Sequence, residues 1–126
     1  LSPLAGMSLS DDTPETPGAD LGDPETNARD NRIAHAKLNT LWNDLPEDIR
    51  AKLKTGQRAW LAEIEQQCQA EAEQTNYADE ASRTQHVLLC NTRKVEHRYL
   101  MLQPHHISTP EYEAREAAAV AAAEAP

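Results

Sequence analysis

Apolar residues recur at spacings of three and four from about Arg29 onward: Ile33, Ala34, Leu38, Leu41, Trp42 and Leu45, with Lys37 among them. That period builds one face of a helix, and it predicts a first helix ending near Asn43–Asp44. Pro46 fits the first turn of a second helix, and Glu47 and Asp48 suit the positive end of its dipole. This second helix runs through Ile49, Leu53, Gln57, Trp60, Leu61, Ile64 and Cys68 toward Glu73. On a helical wheel Ile49, Leu53, Trp60 and Ile64 fall within about 60° of one another, with Gln57 beside them and Cys68 at the margin. Gly56 interrupts the pattern at a cost of about 1 kcal/mol against Ala, and it reads as the mark of a close helix crossing.

Residues 74–82, QTNYADEAS, lose the period and carry Asn76, Asp79 and Ser82, so they read as a connection. A third helix then sets Val87, Leu88, Asn91, Val95, Arg98, Tyr99 and Leu102 on one broad face, with Cys90 at its margin, until Pro104 and Pro110 stop it. Strand-like alternation and internal repeats are absent from the sequence. The expected fold is therefore all-α, a small antiparallel helical hairpin or three-helix bundle.

The two ends read differently. Residues 1–28 mix Pro3, Pro14, Pro17 and Pro24 with Gly6, Gly18 and Gly22 among polar residues, and are expected to form a flexible acidic tether ahead of a helical domain over 29–103. Residues 104–126 form a Pro-bounded, Ala/Glu-rich tail with little to bury beyond Tyr112 and Val120, expected as a frayed, isolated helix.

Composition sharpens this picture. At 126 residues, with 39% hydrophobic and 4% aromatic content and no Phe, the chain suits one small domain with a lean core. The net charge of −9 belongs to the ends: residues 1–28 hold six acids and no Lys or Arg, whereas 29–102 balance eleven acids with eleven Lys or Arg. A formally neutral folded segment argues against a nucleic-acid partner, which requires a concentrated basic surface. No apolar run approaches the roughly 18–20 residues of a membrane span. Leu4-Ala5-Gly6 looks like the start of a bacterial lipoprotein cleavage box, although Met7 stands where the lipidated Cys would follow.

Candidate chemistry is sparse. Cys68 and Cys90 flank one connection, and in antiparallel helices they can face each other. A bridge would close a loop of roughly 23 residues and stabilise by roughly 3 kcal/mol. A lean bundle needs such a staple, so the disulfide, and with it an oxidising compartment, is preferred over two unpaired thiols. His105-His106, His86 and His97 lack the spacing of a zinc site, so no metal is expected. The pairs Glu63/Glu65 and Glu71/Glu73 point to different sides of a helix, and neither a nucleophile elbow nor a glycine-rich phosphate loop is present. The reading is a non-enzyme without a cofactor. Arg58 and Arg98 read as structural or exposed charges and Trp60 as core.

The run Ala34-His35-Ala36-Lys37-Leu38-Asn39 with Trp42, then Gln57-Arg58-Ala59-Trp60-Leu61, Cys68 with Glu71, and Cys90 followed by Arg98, resembles the LprI-like lysozyme-inhibitor family of bacterial envelope proteins. Glu63, Ile64 and Glu65 depart from the family's pattern after the Trp. So do Asn76-Tyr77-Ala78-Asp79-Glu80 in the loop, and an extra N-terminal cysteine pair is missing. The resemblance implies an exported, periplasmic or lipid-anchored module with Cys68 bridged to Cys90 and a protein partner, lysozyme or another peptidoglycan hydrolase. Leu38, Asn39, Gln57, Arg58, Ala59, Trp60, Glu71 and Arg98 would be its scaffold. Tyr77, Asp79 and Glu80 in the 74–83 loop are the expected partner contacts. Two related readings stand beside inhibition: immunity against a secreted cell-wall toxin, and a non-inhibitory structural or adaptor module.

Overall fold

Asp23 starts the first helix: its carboxylate accepts from the Thr26 backbone N–H at 2.9 Å, and Pro24 follows in the first turn. The computed structural model describes residues 21–125. Most of the expected tether, the Leu4-Ala5-Gly6 box and Pro126 lie outside them. Within them stand α1 (Pro24–Asp44), α2 (Glu47–Thr75), α3 (Glu80–Leu102), one turn of 3-10 helix (Gln103–His105) and α4 (Pro110–Glu124). Helix α1 thus begins five residues before the apolar period becomes readable, because its start is set by a polar cap. Pro46 sits at the cap of α2, one position earlier than expected.

Cross-helix contacts fix the directions. Asn27 meets Gln85 and Asn31 meets Thr92, so α1 and α3 run parallel. Gln57 meets Arg98 and Glu71 meets His86, so α2 runs antiparallel to α3. Arg32 meets Ala123 and Asp44 meets Arg115, so α4 runs antiparallel to α1. The parallel pair α1/α3 is central, α2 lies against α3 and α4 against α1. The all-α bundle is as expected, and among the described residues it holds four helices, α4 being the addition to the expected hairpin or three-helix bundle.

The core is small and shared by all four helices: Ala34, Leu38 and Leu41 from α1, Ile64 from α2, Val95 and Leu102 from α3, and Tyr112 from α4. The N-terminal half of the α1/α3 seam is polar instead. Asn27 Nδ2 donates to Leu21 O and Gln85 Oε1, Asn31 Nδ2 to Asn91 Oδ1 and Thr92 Oγ1, and His35 Nε2 also donates to Asn91 Oδ1. Buried amides find partners only in matching register, which makes this seam specific where apolar packing alone would tolerate sliding.

Three expectations need correction. The tail is not an isolated helix: Tyr112 is buried, its hydroxyl donates to Glu116, and Arg32 Nε donates to Ala123 O at the C-terminal end of α4. A guanidinium there supplies donors to carbonyls that lack helical partners. Gly56 marks no crossing, since a Cβ built on it meets nothing within 4 Å. Cys68 and Cys90 are not marginal, both being fully buried.

Gly56→Ala is therefore expected to stabilise the protein by up to about 1 kcal/mol in urea denaturation. Tyr112→Ala is expected to cost about 3 kcal/mol and to speed hydrogen exchange across residues 110–124 far more than across α3.

Candidate partner-binding surface

The α2–α3 hairpin is clamped at three levels. At its centre Cys68 and Cys90 are bridged, with Cα atoms 5.6 Å apart, and Ala72 one turn on is fully buried. Toward the α1–α2 turn, Arg98 Nε donates to Gln57 Oε1 at 2.8 Å while its guanidinium lies 5.5 Å above the Trp60 ring. Burial lowers the Arg98 pKa, yet a guanidinium stays charged.

At the other end Glu71 accepts from His86 Nε2 at 2.8 Å and from Arg93 at 3.3 Å. A carboxylate only accepts, so the Nε2 of His86 carries the hydrogen and its Nδ1 is left to accept from the Tyr77 hydroxyl. The hydrogen bond from His86, opposed by burial and helped by Arg93, lowers the Glu71 pKa. The turn between the helices is closed by Asn76, left-handed at φ 61°, and by Asp79, whose carboxylate accepts from the Ser82 N–H. That bond lowers the Asp79 pKa.

The expected scaffold residues separate into two groups. Leu38 is core, Gln57, Trp60 and Arg98 meet in one clamp, and Glu71 joins another; Asn39, Arg58 and Ala59 point to solvent. Trp60 is half-buried against the core, together with Leu53. In the loop, Tyr77 is buried and holds the turn from inside, and Asp79 is engaged in its cap. Asp79 and Glu80 are both exposed, and Glu80 is the one of the two whose carboxylate makes no cap. Among the described residues no cluster of His, Cys, Asp or Glu is arranged to hold a metal ion. His106 instead pairs with Asp44 at 2.7 Å.

An open groove runs along α2, its upper part walled by α2 and α3 with His35 of α1 at the edge, its lower part by α2 and Trp42 of α1. The upper part, about 440 Å³, is lined by His35, Ile64, Glu65, Glu80, Arg83 and Val87. The lower part, about 490 Å³, is lined by Trp42, Glu47, Arg50, Lys54 and Arg58. Leu61 lines both and is half exposed. The Nε atoms of Arg50 and Arg83, one in each part, are buried without a hydrogen-bond partner among the described residues. Arg50, Lys54 and Arg58 stand four residues apart each time, a spacing legible in the sequence without the groove that gives it meaning.

These features define a class: a small all-α module stapled by one internal disulfide, with open charged grooves in its flank. The family model for the lysozyme inhibitor LprI matches residues 25–102, and the chain belongs to that family. The match takes in α1, α2 and α3 and stops at the last residue of α3. No curated protein and no solved structure matches the chain.

Replacing both cysteines by Ala is expected to lower stability by about 3 kcal/mol or more, the loop-entropy contribution of a bridge spanning 22 positions. Urea denaturation with and without reductant checks it. The Glu71 contribution has a defined sign: with its folded pKa below 4.5, it is complete above that pH and lost as the pH falls through the folded value. Hydrogen exchange at 76–79 is expected to accelerate below pH 4.5 in the wild type, and Glu71→Gln is expected to abolish that pH step.

Proposed function

We propose that this chain is an exported envelope protein that inhibits a lysozyme-type peptidoglycan-cleaving enzyme by stoichiometric binding. Family membership over 25–102 is the observation that carries this reading. The buried disulfide fits it, because such bridges persist in oxidising compartments such as the periplasm. Among the described residues no helix is long and apolar enough to cross a membrane.

In this reading the turn between α2 and α3 meets the enzyme. Glu80 presents a carboxylate at the mouth of the upper groove, while Tyr77 and Asp79 keep the turn rigid beneath it. A rigid turn loses little entropy on binding, which favours affinity from a small contact. Immunity against a rival's secreted cell-wall toxin would use the same compartment and the same mode of binding.

Titration into a lysozyme turbidity assay, at low and at physiological salt, tests the proposal. The expected outcome is inhibition that saturates near one inhibitor per enzyme and is weakened in Glu80→Lys. Undiminished lysis at large molar excess would leave the adaptor reading in its place.

A further inference from the structure

The turn accounts for one end of the groove and leaves the other unexplained. Arg50, Lys54 and Arg58 all line the lower part, beside Trp42 and the half-exposed Leu61. Like charges four apart on a helix repel one another, so this row costs helix stability rather than supplying it. Among the described residues none of the three lies within 4.0 Å of a carboxylate, unlike Arg29, Arg93 and Arg115. Glu47 is the single acid lining this part, so positive charge is in excess. Arg50 Nε is also out of water with no acceptor among the described residues, an arrangement that an incoming oxygen would relieve.

The chemistry of the row selects its occupant. Guanidinium forks match carboxylates in a bidentate geometry, and Arg beside aromatic and apolar side chains is the make-up of interface centres. A nucleic-acid backbone fits poorly, because residues 29–102 carry as many acids as bases. Lys54 and Arg58 are separated by about 6 Å along the helix axis. Glycoside hydrolases place their two carboxyl groups about 5–9.5 Å apart across the cleft.

We propose that the Arg50–Lys54–Arg58 row of α2 docks against a carboxylate-lined cleft of the partner protein. The inference rests on the inhibitory reading above and names the chemistry of the second contact. The enzyme's cleft supplies carboxylates to the row, and the exposed Leu61 and Trp42 pack against its apolar wall.

The test uses the full chain, the double reversal Lys54→Glu/Arg58→Glu, and Lys52→Glu as a control on α2 outside the recess. Binding to lysozyme is measured by biolayer interferometry at about 50 and 150 mM salt, a range in which surface charges are progressively screened. The double variant is expected to bind at least tenfold more weakly, mainly through a slower association rate, while the control stays within twofold and both melt as the wild type does. Equal binding and inhibition by the double variant would overturn the row and leave the inhibitory function standing. If the wild type does not bind lysozyme, the inhibitory reading fails and a hexaglutamate titration followed by NMR decides the row. Shifts at the Trp42 indole and Leu61 methyls that vanish in the double variant support it, and shifts elsewhere or none overturn it.

Discussion

The bridge between Cys68 and Cys90 fixes the register of α2 on α3. Cα atoms 5.6 Å apart, each about 2.3 Å from its own helix axis, leave the axes at most about 10 Å apart, an ordinary packing distance. Ala72, one turn from Cys68, is fully buried at this seam. The contact of α2 with α1 is thin, and the groove through Leu61 is walled by α2 with α3 in its upper part and by α2 with Trp42 of α1 in its lower part.

Polar contacts carry an unusual share of the specificity. The core has few large side chains, so the register of α1 on α3 is set by amides whose burial is tolerable only when they are paired. Helix α4 follows the same logic. Glu116 accepts from the Tyr99 and Tyr112 hydroxyls, Asp44 takes His106 and Arg115, and burial pushes the Tyr112 pKa upward so that the phenol keeps its proton to donate. This fourth helix lies beyond the family match, yet it covers a face of α1 and contributes Tyr112 to the core.

The segment around Trp60 shows how far a sequence reading reaches. Its apolar period correctly placed Ile64 in the core and Trp60 against it, and the cysteine spacing pointed to the right partner. The same period placed Cys68 at a margin, because a wheel drawn for one partner helix cannot show that the disulfide pulls its own residues to the centre of the contact. Tyr77, Asp79 and Glu80 read as partner contacts because acidic side chains in that loop could reach a basic or substrate-binding cleft. That Tyr77 turns inward to His86 while Asp79 caps Ser82 from the exposed side follows from the closure of the turn itself.

The sequence by itself determined the local choices: helix periods, the proline at the start of α2, the stop at Pro104, the pairing of two cysteines and the motifs that carry the family. Those are set by residues within a few positions of one another, or by a spacing that only helices satisfy. Tertiary structure alone decided that α4 docks, that Gly56 faces open space, that Glu80 lines a groove, and that Arg50, Lys54 and Arg58 stand along it without acidic partners among the described residues. Each of these depends on how the helices come to rest against one another, a balance of long-range contacts that no local pattern records.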